Sequence, residues 1–176
     1  MTASVAMVRA VNVGGATVAM ADLRAIGTAA GFTAVRTFLN SGNLLFEAAD
    51  GTPREYAATV SRALEALTER PVPVIVRTAA QLQRAVDRAV RAFPDAPDST
   101  MAVAFMDRPV RDVAPDRLGA FDDDRYLIDS DAVYLLYPHG QARTKLLVSV
   151  IEKKLGVVAT VRGVKSIRGM VAKLTS

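Results

Sequence analysis

Apolar runs alternate with amphipathic segments through the first half of the chain, and this pattern predicts alternating strands and helices. Strand-like apolar segments cover 4–11, 33–39, 43–47 and 72–77, and a tight Asn-Ser-Gly-Asn connection separates the second from the third. Apolar residues recur at helical spacing over 20–30, 53–69 and 79–92. The first half therefore has the predicted order β-α-β-β-α-β-α.

The second half repeats this order although its residues barely match those of the first. Strands are predicted over 101–106, 125–129, 132–138 and 157–162. Helices are predicted over 114–119, 144–155 and 164–174. The repeated order indicates a structural duplication.

The order β-α-β-β-α-β is typical of ferredoxin-like domains. We therefore predict an α+β fold of two ferredoxin-like halves with mainly antiparallel sheets, residues 1–92 and 93–176, packed as one compact unit. In such a sheet the third strand lies between the first two. The loop after the first strand and the hairpin "NSGN" should then lie at one end of the first sheet, and the loops after the third and fourth strands should share an end of the second.

Composition removes several classes of chemistry. With 51% apolar residues in 176, the chain can form a packed interior. It has no cysteine, which excludes disulfides, thiolate zinc sites and cysteine nucleophiles, and a single histidine, which excludes a multi-histidine metal site. No signal sequence is apparent and no window reaches the roughly 18 apolar residues of a membrane span. We expect a cytoplasmic protein with no membrane association, metal or cofactor; the sequence leaves the oligomeric state open.

The net charge of +4 is unevenly distributed. Residues 139–176 contain eight Lys or Arg and one acid, Glu152, so this segment carries +7 and the remainder −3. Such a segment suits an anionic partner, either nucleic acid or a small phosphorylated or nucleotide-like ligand. The alternative is a pair of solvated helices whose charge balances the acidic first part.

The first candidate site residues follow the first strand. Asn12, Gly14 and Gly15 precede a helix, where exposed backbone N–H groups can bind an anion, although two glycines also suit a tight turn. Their spacing fits neither the dinucleotide fingerprint nor the P-loop. Arg9 falls inside the predicted central strand, where its charge needs either a ligand or a buried carboxylate.

Polar side chains also cluster in the hairpin "TFLNSGN" at Asn40, Ser41 and Asn43. A turn accounts for the glycine, but a turn alone does not require two asparagines. We expect the two amides to brace the neighbouring glycine loop, with ligand contact as the alternative. Ser41 lacks the strand-turn-helix setting of a serine nucleophile.

A third polar cluster lies in "YPHGQARTKL". Gly140 would let the backbone approach a ligand, and Thr144 is predicted to cap the following helix beside Arg143 and Lys145, where an oxyanion would be well held. His139 is a weak candidate for proton transfer, because its unperturbed pKa lies near neutrality. The alternative is an ordinary turn with surface cations. The acidic run Asp122 to Asp124 lacks calcium-loop spacing and is predicted to be a solvated loop.

The motifs "RAVNVGG", "TFLNSGN" and "YPHGQARTKL" together resemble the bacterial domain of unknown function 1697 family. The resemblance implies a fold of duplicated ferredoxin-like halves and no established activity. The family tends to read Thr-x-Arg-Asn-Trp near the C-terminus, where this chain has Thr160 and Arg162 but then Gly163 and Val164. Because Arg162 matches the arginine of this pattern, it is also a candidate ligand-binding residue. Any ligand contact that the tryptophan makes in relatives is lost or changed in this chain.

Three functions remain open after the sequence alone. The favoured hypothesis is a protein that binds or acts on a small anionic ligand at the seam between the halves, with polar loops on a rigid scaffold. The second is a nucleic-acid-binding module that uses the basic C-terminal segment, although the glycine-aromatic strand signature of RNA-binding domains is absent. The third is a structural or interaction protein without a ligand. Whether the protein is an enzyme is not decided.

Overall fold

The computed structural model describes residues 1–9 and 18–176, which form two compact units. The first unit comprises Met1–Gln81 and Met170–Ser176, and the second comprises Leu82–Gly169. The strands are β1 (Thr2–Val8), β2 (Thr33–Thr37), β3 (Asn43–Ala48), β4 (Val74–Thr78), β5 (Met101–Met106), β6 (Arg125–Ile128), β7 (Ala132–Leu136) and β8 (Ala159–Gly163). The helices are α1 (Met20–Ala29), α2 (Pro53–Thr68), α3 (Ala79–Ala92), α4 (Val148–Leu155) and α5 (Val164–Leu174).

The first unit contains a four-stranded antiparallel sheet in the order β2-β3-β1-β4. Its third strand lies between the first two, as the ferredoxin-like order predicts. One face of the sheet carries a core in which the Phe32 and Phe46 rings stack at 4.1 Å between centroids. The Tyr56 ring of α2 meets both rings edge-on. Aromatic pairs in these geometries add to the stability that burial alone provides, so they fix α2 on the sheet.

A capping box starts α2. Thr52 Oγ1 accepts a hydrogen bond from Glu55 N at 3.3 Å, and Glu55 Oε2 accepts one from Thr52 N at 2.7 Å. Pro53 occupies the first helical turn, where its missing N–H costs nothing. The hydrogen bonds from Thr52 also lower the pKa of Glu55. Local sequence therefore determines where this helix begins.

The second unit repeats the arrangement, with an antiparallel sheet in the order β6-β7-β5-β8. One face packs a core that includes Leu135, Tyr137 and Ile151 of α4. On the opposite face, Arg88 of α3 lies over the Tyr134 ring at 5.9 Å and pairs with Asp129 at 3.1 Å. Both faces of this sheet are therefore buried, which explains why its central strands read as continuous apolar runs.

The two units also match in backbone hydrogen bonds beside their sheets. In each, the end of the first strand bonds to the hairpin between the second and third strands, and the next residue bonds to the segment before the fourth strand. The pairs are Val8 N with Gly42 O, Met106 N with Asp131 O, Arg9 N with Pro73 O, and Asp107 N with Val158 O, at 2.9–3.1 Å. The halves are thus similar in strand order and register, although the described residues between the first two strands of the second half form no helix. Their origin by duplication stays a prediction.

Three local predictions are wrong. β1 ends at Val8, so Arg9 follows the strand instead of lying within it. Residues 114–119 form turns with isolated hydrogen bonds, because a segment of that length does not repay the cost of helix nucleation. α4 begins at Val148, after a one-turn 3₁₀ helix at Gln141–Arg143, so Thr144 does not cap it.

Among the residues described, no helix is long and apolar enough to cross a membrane. The cytoplasmic location stays a prediction from sequence.

Candidate functional site

The hairpin "TFLNSGN" connects β2 to β3, and Asn43 holds its turn. The Asn43 side chain is fully buried, and its Nδ2 donates to Phe38 O at 3.0 Å and to Ser41 Oγ at 2.8 Å. Asn40 and Ser41 are exposed at the tip. The buried amide therefore satisfies the hairpin's own polar groups.

The end of β1 lies beside this hairpin, as the topology predicts. Val8 N donates to Gly42 O at 2.9 Å, and Arg9, half-buried, donates through its backbone N to Pro73 O at 2.9 Å. The predicted anion site at Asn12, Gly14 and Gly15 falls in residues 10–17, outside the described residues. The expected bracing of that loop by Asn40 and Asn43 therefore stays a prediction.

In the second unit, the motif "YPHGQARTKL" forms the loop between β7 and α4, and Thr144 organises it. Thr144 Oγ1 accepts a hydrogen bond from Leu146 N at 2.8 Å and donates one to Asp124. Tyr137 Oη donates to Leu146 O at 3.2 Å, so both backbone polar groups of the buried Leu146 are bonded by side chains. Burial, together with the charge of Asp124, raises the pKa of Tyr137, which keeps this phenol a donor.

Gly140 has φ of +83°, a conformation that favours glycine. A Cβ added there would meet no atom within 4 Å, so the position is open to solvent or ligand. The glycine is therefore explained by backbone conformation, and the space above it leaves room for a bound group.

A cleft of about 290 Å³ lies between this loop and the acidic run before β6, and we call it the motif cleft. Its lining residues are Phe121, Asp122, Asp123, Asp124, His139, Gly140, Arg143 and Lys145. Asp122 and Asp123 are exposed, as expected of a solvated loop, whereas Asp124 is half-buried. Each of the three carboxylates also meets one residue of the motif. The pairs are His139 Nε2 with Asp123 Oδ2 at 2.9 Å, Lys145 Nζ with Asp122 Oδ2 at 3.4 Å, and Thr144 with Asp124.

These pairs change the charge that the motif offers a ligand. The Lys145–Asp122 pair is fully solvated, with side chains about four-fifths exposed, so it is weak and can open. The Arg143 guanidinium lines the same cleft and has no partner among the residues that the structure describes. Arg143 is therefore the cation of this cleft that remains available, and sequence reasoning treated it only as a neighbour of Thr144.

Arg162 occupies a different environment, inside β8. Its Nη1 donates to Thr160 Oγ1 at 2.7 Å and to Val161 O at 2.9 Å, and burial lowers its pKa to about 10. Arg77 of β4 makes the equivalent bond, to Val76 O at 2.9 Å. Arg162 lies opposite Val103, and Arg77 lies opposite Val5, so the two arginines share one register position in their sheets. Arg162 does not line the motif cleft.

A Cβ added at Gly163 would lie 3.9 Å from Met101 O, an ordinary contact, so the backbone there leaves space for the first carbon of a side chain. Val164 is fully buried, and a tryptophan there would require a larger cavity.

Within residues 1–9 and 18–176, no group of three or more His, Asp or Glu side chains is arranged to hold a metal ion. The three consecutive aspartates turn to three different partners, as described above.

The architecture defined by these units is that of an α+β protein with two ferredoxin-like halves. The conserved bacterial protein SP0830 from Streptococcus pneumoniae has a similar structure, with a TM-score of 0.74 and 18% sequence identity, over 100% of this chain and 99% of that chain. At this identity the likeness establishes the fold alone.

The chain matches the family model "Protein of unknown function (DUF1697)" over residues 1–134, and it belongs to that family. No functionally curated protein matches it. The matched range ends before the motif cleft's loop, so the family match assigns no role to His139, Arg143 or Lys145.

Proposed function

We propose that the protein binds a small anionic metabolite in the motif cleft. The observation that carries the proposal is that Arg143 lines this cleft without an acidic partner in the described residues, beside the open backbone of Gly140. An arginine can hold a carboxylate or phosphate through two parallel hydrogen bonds. His139, positioned by Asp123, adds a second polar group at the same edge.

The aspartates limit the charge of the ligand. Asp122, Asp123 and Asp124 line the cleft together with Arg143 and Lys145, so the local field does not favour a polyanion. A phosphate monoester or a carboxylate with hydroxyl groups suits such a mixed site better than a triphosphate or a nucleic-acid backbone.

The same pairing weakens the case for nucleic acid. Two cations of the basic C-terminal segment are paired with carboxylates, which reduces the positive potential of the segment. Lys145 pairs with Asp122, and Arg168 Nε lies 2.6 Å from Asp98 Oδ2. Polyelectrolyte binding depends on the number of phosphates neutralised, so fewer free cations mean weaker binding.

Calorimetric titration with glycerol phosphate, ATP and a single-stranded oligonucleotide at low ionic strength tests this proposal. Glycerol phosphate should bind saturably, and ATP should bind no more tightly. Arg143→Ala should weaken glycerol phosphate binding about tenfold, the loss expected for one charge-assisted contact. Arg70→Ala, which removes an exposed cation from the first unit, should change it less than about twofold.

Equal effects of Arg143→Ala and Arg70→Ala would show that binding follows general charge and would overturn the proposal. Tighter binding of the oligonucleotide, falling steeply with added salt, would instead favour the nucleic-acid module. If none of the three probes binds, the interaction protein without a small ligand becomes the better hypothesis.

A further inference from the structure

We propose that a second cleft in the Leu82–Gly169 unit binds small aromatic monocarboxylates, independently of the motif cleft. This cleft, which we call the proline cleft, encloses about 400 Å³ at the C-terminal end of α3. The residues that define it are Phe93, Pro94, Pro97, Arg125, Leu136 and Pro138. Its volume lies in the range of about 300–1,000 Å³ that is typical of small-molecule sites.

The walls of the proline cleft are apolar and stiff. Three prolines and the Phe93 ring contribute to its surface, and Leu136, only 4% exposed, provides a buried floor. Proline rings have no rotatable side-chain torsions to lose on binding, so contact with them costs little conformational entropy. A flat apolar ring in the ligand would remove these surfaces from water.

Arg125 supplies the charge that selects an anion. Its Cζ lies 5.8 Å from the centroid of the Phe93 ring, so the guanidinium is placed at the cleft by a cation–π contact. Arg88 in the same unit stacks on Tyr134 in the same way at 5.9 Å, but it also binds the carboxylate of Asp129. No carboxylate binds Arg125 within the described part of the chain, so its hydrogen-bonding fork remains available for a ligand carboxylate.

Asp95 sets the upper limit on ligand charge. It is the one acidic residue among the described residues that line the proline cleft, and it carries no hydrogen bond there. With one cation and one anion at the cleft, a second negative charge on the ligand would have no matching cation there. A single carboxylate on an aromatic body satisfies both the walls and the charges.

Among the described residues, the proline cleft and the motif cleft have no lining residue in common, and Phe121 of the motif cleft packs against the core on the α4 side of the sheet. Leu136 lines the proline cleft, whereas Tyr137, the next residue, belongs to the core on the α4 side. Consecutive residues of a strand point to opposite faces. One small ligand therefore cannot occupy both clefts, and the two proposals fail independently.

Methyl NMR of the full chain, titrated with phenylacetate, tests the proposal. Saturable shifts are expected at the Leu136 methyls, and no shift is expected at Ile151, which is buried on the other face. Phenylacetamide, which has the same shape without the charge, should bind at least about tenfold more weakly, the effect expected for losing one charge-assisted bidentate contact.

Arg125→Met, which keeps the aliphatic part of the side chain, should weaken phenylacetate binding about tenfold. Arg91→Met is the matched control: it removes an exposed arginine from the same end of α3 but outside the cleft, and it should change affinity less than about twofold. Arg125 is exposed, so a melting curve like that of the wild type is expected and confirms that the variant is folded.

The proposal would be overturned if the Leu136 methyls showed no saturable shift up to about 10 mM phenylacetate. This concentration lies well above the dissociation constant of a weak specific site. Equal affinities for the acid and the amide, or equal losses in Arg125→Met and Arg91→Met, would also overturn it, because recognition would then not involve the Arg125 guanidinium. Unchanged phenylacetate binding in Arg143→Ala is expected and distinguishes this cleft from the motif cleft.

Discussion

Replacing Thr144 by valine removes one hydroxyl from the loop between β7 and α4 while preserving the shape of the side chain. In the native protein this hydroxyl bonds Leu146 N at 2.8 Å and also donates to Asp124. Valine can do neither, so the backbone N–H of Leu146 and one carboxylate oxygen of Asp124 lose a partner.

The two losses differ in size. Leu146 is fully buried, and a buried N–H left without a partner costs about 1–3 kcal/mol. Asp124 is only partly buried, so water replaces much of its lost bond, and we assign that contact about 1 kcal/mol. The free energy of unfolding of Thr144→Val should therefore fall by about 2–4 kcal/mol.

Urea denaturation followed by circular dichroism measures this change, and Thr144→Ser is the matched control. Serine keeps the hydroxyl and loses only a methyl group, which costs about 1 kcal/mol. Hydrogen exchange at Leu146 should accelerate in the valine variant and not in the serine variant. If valine and serine lower stability equally, the hydroxyl does not hold this loop and the reasoning is refuted.

Three further predictions concern stability. Gly51→Ala should lower the free energy of unfolding by about 2 kcal/mol in urea denaturation, because φ is +125° there and the new Cβ would lie 2.8 Å from Tyr56 Cε1; a neutral effect would contradict this. Ser4→Ala should raise the free energy of unfolding by about 1 kcal/mol in the same assay, because the buried Ser4 Oγ has no hydrogen-bond partner in the described structure. A loss of stability would mean that the hydroxyl makes a hydrogen bond in the folded protein. Burial raises the pKa of Tyr134 to about 12, so the folded state keeps this proton between about pH 10 and 12 while the unfolded chain releases it, and stability should fall with pH in that window. Tyr134→Phe should reduce the fall in urea titrations across this range, and parallel curves for the two proteins would count against the shift.

The strand order could be predicted from sequence because it depends on periodicity and chain connectivity. Apolar runs located all eight strands, and the order β-α-β-β-α-β predicted for each half indicated which strands lie next to one another, although the first helix of the second half does not form. The start of α2 can likewise be predicted from local chemistry, since Thr52, Pro53 and Glu55 form its cap within four residues. These features involve neighbours in sequence or a topology with few alternatives.

The candidate site was less predictable because its partners are distant in sequence. Thr144 has the residue type of a helix cap, but its hydroxyl bonds Asp124, twenty residues earlier, and the helix begins later. Pairing of the acidic run with His139 and Lys145 depends likewise on how the β6 and β7 ends approach each other. A charge pattern along the chain does not reveal such pairs. That Arg143 has no acidic partner among the described residues could be judged only once the partners of His139, Thr144 and Lys145 were known.

The contacts of α3 have a practical consequence for anyone dividing this protein. The helix completes the first repeat of element order, which runs to residue 92, yet from Leu82 onward it belongs to the second compact unit. A fragment ending at residue 92 would carry α3 without Asp129 and Tyr134, and would present its buried face, including Val86, to water. The unit that repeats in the sequence is therefore not the unit expected to fold alone, and expression of isolated halves should be planned around the contact boundary.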